Sequence, residues 1–453
     1  METYEFIVLA MLGSFMLLIF TGFPVAWVLA GVSVFFSVGA IFAFEYLDVD
    51  TYYLTDWNIF GIIVQRIYAQ MTKWVLVALP MFIFMGLMLE RSGVAERLMT
   101  NFVNVFGRFR GGMGVAVILI GILLAASTGI VGASVVLLAM LSLPVMLRQQ
   151  YSPAFASGIV ASSGTLGILI PPSIMLIIMA DQLSLSVGDL FMGALIPGVM
   201  LGCLYIAYVV IAAWLKPDLS PSRTDLPPIT AKVILATLWA VVPPLGLILA
   251  VLGSIFFGIA TPTEASGVGA LGASILAAMN GKLNWDVIKD VSRKTSVTTA
   301  FVFGIFLGAT AFAVVLRSLG GDEFIAGLLT GIPLSPGGIV LVILFVAFLA
   351  GFFLDWLEIS LILLPLVGPV VASMGFDLTW FVVLFALTLQ TSFLTPPVGF
   401  SLFYLKGVAP PEVKTTDIYK GVIPFILLQV LAVTLVFFFE ELVLWLPELR
   451  YGA

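Results

Sequence analysis

Polar residues in this chain fall between long apolar runs and rarely within them. The stretches 111–147 and 153–180 contain no Asp, Glu, Lys or Arg. A bilayer-spanning helix needs about 20 apolar residues, so the pattern predicts an all-α polytopic membrane protein with roughly ten or eleven full spans and some shorter pieces. The first apolar run follows Met1-Glu-Thr-Tyr-Glu5, which is acidic where a cleaved signal peptide would be basic. It reads as a retained first span.

Two of these runs are broken near their middle. Gly164-Thr-Leu-Gly-Ile-Leu-Ile-Pro-Pro-Ser173 interrupts one, and Gln390-Thr-Ser-Phe-Leu-Thr-Pro-Pro-Val398 interrupts another in the second half of the chain. Unpaired N–H and C=O groups are costly in the bilayer interior, so irregular backbone persists there only where protein or a wet cavity covers it. Paired breaks at corresponding places mark a transporter whose binding site lies near the membrane midplane. The bland alternative is a kinked helix packed on its neighbours.

The Pro-rich, charged stretch 216–232 divides the chain into a first repeat over 1–215 and a second over 233–453. Features recur in order. Gly22-Phe-Pro24 corresponds to Ala260-Thr-Pro262, the Pro-Pro pairs follow, and Asp189 to Pro197 corresponds to Asp417 to Pro424. An odd number of spans per half, counted as five, makes the repeats inverted. The run 111–147 would be about 55 Å long as one helix, too long for a hydrocarbon core of about 30 Å. Its small, polar middle at Ser127 to Ser134 predicts a re-entrant hairpin over 111–147, followed by a broken helix over 153–186. In the second half the hairpin is predicted over 336–371, with its middle at Gly351 to Glu358, and the broken helix over 378–406. A tilted span plus an interfacial piece is the alternative for each hairpin. Each break is expected to work with the hairpin of its own half. The segment Glu45 to Asp56 reads as an interfacial arm, and Asn284 to Lys294 as an amphipathic surface helix.

Composition narrows the function. The chain is 61% hydrophobic and 10% charged, with a net charge of −6 and no histidine. Without a basic face, no nucleic-acid partner is expected. Lone Cys203 supports neither a disulfide nor a thiolate metal site. No phosphate-binding Gly-x-x-x-x-Gly-Lys-Ser/Thr loop and no histidine-based catalytic motif is present, so the chain reads as no enzyme and needs no cofactor.

The candidate chemistry lies at the breaks and tips. Pro171-Pro172 and Pro396-Pro397 suit helix starts, with Ser173 and Thr395 available as caps. Helix-start N–H groups attract a carboxylate without a buried Lys or Arg. Carbonyls freed at Gly167 and around Thr395, with the hydroxyls of Thr165, Thr391 and Ser392, suit a hard cation such as Na⁺. The first tip offers Ser127, Thr128, Gly129, Gly132 and Ser134, either to expose oxygens to an ion or merely for close helix packing. The second tip holds Asp355 and Glu358, and intramembrane acids are usually functional or paired. Asp355 is the stronger coupling candidate, since one of the two can face the aqueous end. Glu264 reads as a cap or helix-dipole residue.

Ser163 to Ser173, Phe257-Gly-Ile-Ala-Thr-Pro-Thr-Glu-Ala-Ser266, Ala194-Leu-Ile-Pro-Gly198 and Leu79-Pro-Met-Phe-Ile-Phe-Met-Gly86 with Glu96-Arg-Leu98 carry a resemblance across essentially the whole chain. It resembles the large, DctM-like membrane subunit of tripartite ATP-independent periplasmic (TRAP) transporters. The resemblance implies an elevator-type ion-transporter-superfamily fold in a bacterial inner membrane. It implies Na⁺-coupled import of a small carboxylate, of which a 2-oxo acid is one option. A small four-helix membrane subunit and a periplasmic solute-binding protein are the implied partners. Ion and substrate sites are then formed by the hairpin tips and broken helices, with Na⁺ held mainly by backbone carbonyls near Thr128, Gly167, Asp355 and Thr395. The first tip departs from the Gly-Ser-Ser pattern of many members, which shifts ion binding there toward the backbone. A self-sufficient ion-coupled anion exchanger is the rival reading, and an integral membrane enzyme a remote one.

Overall fold

The computed structural model describes residues 2–128, 131–221 and 230–451, and the side chains of 125–128 and 451 are left aside. Every regular element among them is helical. The first half contains α1 (Thr3–Ile19), α2 (Val25–Leu47), α3 (Asn58–Met71), α4 (Ala78–Arg91) and α5 (Val94–Phe106), then α6 (Gly112–Thr128), α7 (Val131–Arg148), α8 (Pro153–Thr165), α9 (Ile174–Gln182) and α10 (Val187–Leu215). The second contains α11 (Ala231–Phe256), α12 (Pro262–Met279), α13 (Trp285–Ser318), α14 (Gly321–Thr330) and α15 (Pro336–Ala350). It ends with α16 (Trp356–Ser373), α17 (Leu378–Leu394), α18 (Phe400–Val408), α19 (Thr415–Phe438) and α20 (Glu441–Tyr451).

Local sequence explains many of the boundaries. Pro153, Pro262 and Pro336 occupy the first helical turn of α8, α12 and α15, where a missing N–H costs nothing. Asp377 starts α17 by accepting from the N–H groups of Thr379 and Trp380, at 2.7 and 3.1 Å. Glu264 closes a capping box with Thr261: its carboxylate accepts from the Thr261 N–H at 2.8 Å, and its own N–H donates to the Thr261 hydroxyl at 3.3 Å. That box stabilises a helix start and leaves Glu264 a structural residue.

Among the described residues eight helices are long and apolar enough to cross a membrane, and five shorter apolar helices accompany them. The sequence suggests ten or eleven full spans; the eight found by length and composition include two hairpin limbs, α7 and α16, and leave out helices of 17 residues such as α1 and α17. Asn284 to Lys294 is also no separate surface helix. Asn284 caps α13 by accepting from the Val287 N–H at 2.9 Å, and the charged segment forms the first turns of that helix.

The two hairpins are α6–α7 and α15–α16, and the two broken helices are α8–α9 and α17–α18. Hairpin α6–α7 packs on α8, its neighbour in sequence, but also on α18 from the other half. Hairpin α15–α16 likewise packs on α17 and on α9. The own-half pairing expected from sequence therefore describes only the inner segments, α8 and α17. Past each break the outer segment continues to the other hairpin, as it must when a helix interrupted midway enters from one side and leaves by the other.

Small residues allow these contacts. A Cβ on Gly121 would meet Ser163, one on Gly164 would meet Val135, and one on Gly351 would meet the Ser392 hydroxyl. At Gly158 and Gly421 the backbones of α8 and α19 touch directly, and a Cβ on either would strike main-chain atoms of the other helix. This is close packing by small residues, the usual means of helix association in membranes.

Candidate functional site

Each break is an unwound turn closed by a serine. After α8 the chain makes a short 3-10 turn over Leu166–Ile168 and passes through Pro171-Pro172, a cis bond, before α9. Ser173 stands at the N-cap position of α9, but its side chain makes no capping bond to that helix. Its hydroxyl donates back to the Ile168 carbonyl at 2.6 Å. Thr395 does not cap α18 either. It is the C-cap residue of α17 and donates to the Thr391 carbonyl at 2.7 Å. Pro396-Pro397, also cis, extends the unwound turn, so α18 begins only at Phe400. Ser401, which the sequence reading passed over, donates to the Phe393 carbonyl at 2.6 Å. Ile168 with Ser173 and Phe393 with Ser401 are thus the same device in two copies. Its second copy was hidden because Ser401 does not immediately follow its Pro-Pro pair.

The breaks meet. Gln390 on α17 donates through Nε2 to the Thr165 hydroxyl at the end of α8, at 3.3 Å, across a separation of 225 positions. Thr165 in turn donates to the Ser162 carbonyl at 2.8 Å. Thr391 donates to the Leu387 carbonyl at 2.9 Å within its own helix. Ser392 reaches across to the Phe348 carbonyl on α15 at 2.8 Å, tying the second break to its hairpin. Gly167 lies buried in the 3-10 turn.

The tips differ. Ser127 and Thr128 end α6 with side chains outside the described residues, and Gly129 lies outside them altogether. Of the rest, Ser134 is buried. A Cβ on Gly132 would lie 2.7 to 3.0 Å from the ring of Tyr404. Tyr404, on α18 and 46% exposed, also lies within electrostatic reach of Asp355. Its ring lies against the first tip, and sequence carried no signal for it beyond an aromatic residue after a break. Asp355 is the N-cap of α16 and accepts from the Trp356 N–H at 2.8 Å. Glu358 is the more deeply placed acid, 5% exposed, and its Oε2 has no hydrogen-bond partner.

A second polar cluster lies at the far end of α9. Asp181 is only 4% exposed at its side chain and pairs with Lys73 at 2.8 Å. It also accepts from Gln70 at 2.8 Å and Gln182 at 3.2 Å. Asp181 and Lys73 line a cavity of about 490 Å³ with Ser186, Thr261 and Arg450. The sequence signal was Asp181 itself, the first charge after a long uncharged run.

The groups at the breaks and tips are neutral oxygens with one or two carboxylates. Among the described residues no three of Cys, Asp and Glu gather as a metal cluster. The donor set fits a hard monovalent cation, which accepts carbonyl and hydroxyl ligands, better than a transition metal.

Comparison with known proteins places residues 12–442 in the family described as "Tripartite ATP-independent periplasmic transporter, DctM component". The C4-dicarboxylate TRAP transporter large permease protein DctM of Pseudomonas aeruginosa is 30% identical over 385 residues, 84% of this chain and 88% of that protein. The isethionate TRAP transporter permease protein DctMQ of Oleidesulfovibrio alaskensis is 29% identical over 375 residues, 83% of this chain and 58% of its own. In fold, the chain is similar to the Alcanivorax borkumensis YdaH transporter, with a TM-score of 0.64 at 13% identity, covering 96% of this chain and 98% of that one.

Proposed function

The chain belongs to the DctM family of TRAP transporters, and from that premise we propose that it carries a small organic anion into the cell together with Na⁺. It is a multi-pass membrane protein and a transporter subunit, not an enzyme. The anion is a carboxylate in this reading, in keeping with the C4-dicarboxylate in the name of the Pseudomonas aeruginosa relative. The inner membrane is the location, a periplasmic binding protein delivers the substrate, and a small four-helix subunit completes the permease. The DctMQ relative supports that last partner by its name and by the length this chain leaves unmatched.

The observation that carries the reading is the meeting of the two breaks at Gln390 and Thr165. Helix interruptions are tolerated at membrane depth where they build a site. Na⁺ supplies positive charge in a region without basic side chains, so the anion and the cation stabilise each other's entry. Thr165, Thr391, Ser392 and the carbonyls near Gly167 and Thr395 are the oxygens that would hold Na⁺ at the breaks. Gly132, Ser134 and Asp355 act from the tips, and the N–H groups at the starts of α9 and α18 favour the carboxylate.

The test is uptake of labelled succinate and pyruvate into proteoliposomes holding the chain and its small subunit. Uptake is expected only with an inward Na⁺ gradient and the binding protein. Uptake driven by a proton gradient alone contradicts the ion assignment, and full uptake without the binding protein favours the self-sufficient exchanger.

A further inference from the structure

Next to the first break lies a group of four polar side chains, of which the proposed ion site uses only Thr165. Thr165, Tyr205, Gln390 and Gln429 come from α8, α10, α17 and α19, and all four are fully buried. The Tyr205 hydroxyl faces both Thr165 and Gln429. Gln390 already holds Thr165 through its Nε2. Yet Tyr205 Oη, Gln390 Oε1 and both amide atoms of Gln429 make no hydrogen bond of full geometry within the protein, and the approaches of Tyr205 to Thr165 and Gln429 are too long or too poorly aligned to count as one. Burying such atoms dry is unfavourable, and in folded proteins nearly all of them pair with protein or ordered water.

The four residues also form two corresponding pairs. Thr165 and Gln390 are 225 positions apart, the offset that separates the two Pro-Pro pairs. Tyr205 and Gln429 lie on α10 and α19, the helices that follow the broken helix in each half. The cluster therefore sits where the two halves meet.

We infer that these four residues hold bound water at the junction of the halves, and that Tyr205 and Gln429 are positioning residues for Thr165. The inference rests on the reading of Thr165 as part of the cation site. Chemistry selects water over a further cation. The unpartnered atoms include amide N–H donors as well as oxygens, and a cation answers only the oxygens. Water donates to the oxygens and accepts from the amides, using its usual two to four hydrogen bonds. Held in this way, Thr165 keeps its lone pairs directed and its position fixed while the ion comes and goes.

Tyr205→Phe deletes one oxygen at nearly constant shape, and Gln429→Met deletes both amide atoms. Each is compared with wild type for the Na⁺ concentration giving half-maximal uptake and for the midpoint of thermal unfolding. Half-maximal Na⁺ is expected to rise about fivefold in Tyr205→Phe, the change that corresponds to one lost hydrogen bond. A high-resolution density map of the wild type is expected to show a non-protein peak within hydrogen-bonding distance of Tyr205 Oη. Unchanged Na⁺ dependence with an equal or higher unfolding midpoint overturns the inference, because apolar replacement is then harmless. A map that resolves other buried waters but none here overturns it as well. Should Gln429→Met fail to fold, Tyr205→Phe still decides. Wild-type uptake without any Na⁺ requirement sinks the cation reading separately, and the density then judges the water alone.

Discussion

At the first hairpin the described tip presents Gly132 and buried Ser134 and no carboxylate, whereas the second presents Asp355 as the N-cap of α16 with Glu358 one turn further on. Behind the tips the two halves match closely. Both breaks run through a Pro-Pro pair, and both tie a serine hydroxyl back to a carbonyl of the preceding segment at 2.6 Å. The comparison separates two demands on the two breaks and their hairpins. Unwound backbone at membrane depth must be satisfied in both copies, so the closing hydrogen bonds are kept. If the tips act as proposed, charge needs to be supplied only once, and among the described residues the acids stand at the second tip.

The strongest way to break this contrast is at the acids. Asp355→Ala is expected to lower initial uptake about 100-fold, the scale of losing one interaction with a charged group, while the protein still elutes as a folded species. Ser134→Ala, treated identically, should cost far less, and equal losses at the two tips would remove the asymmetry. A middle-sized effect is expected at Gly132→Ala, whose new methyl must push the Tyr404 ring aside. Uptake should fall about tenfold, and adding Tyr404→Ala should recover part of it. Failure to recover would mean that the loss does not come from contact with Tyr404. The smallest effect tests the matched part. Ser173→Ala and Ser401→Ala each remove one neutral hydrogen bond, worth about 1 kcal/mol. Their thermal midpoints should drop by similar amounts, and a large difference would show that the two breaks are not equivalent supports.

Much of the fold could be read from local pattern. The two Pro-Pro pairs that mark breaks lie beside small and hydroxyl residues, whereas Pro197 and the pair Pro243-Pro244 are carried inside continuous helices. The run 111–147 is too long for one span and too short for two, so broken helices and hairpins left marks in the sequence. The helical membrane class followed from the apolar runs alone. What stayed hidden was partnership. Nothing in the periodicity of α9 or α18 says that each leaves its own hairpin for the other, since that choice is made by packing between segments far apart in sequence. Tyr404, Tyr205 and Gln429 were missed for the same reason: each looks like an ordinary residue of an apolar helix until its neighbours are known. The caps at Ser173 and Thr395 were misread because a hydroxyl beside a Pro-Pro pair has two choices, the next helix or the carbonyls behind it. The unwound turn is long enough for the second to win.

The bare contact between Gly158 and Gly421 carries a consequence for how the chain is made. One glycine belongs to α8 and the other to α19, so a ribosome working at about 5–20 residues per second separates their appearance by tens of seconds. During that interval α8 lacks the α19 backbone that meets Gly158, and Thr165 lacks Gln390. The first broken helix therefore cannot mature when it is inserted. Its packing is completed only when α17 and α19 of the other half arrive, so assembly of this region is an event of the whole chain.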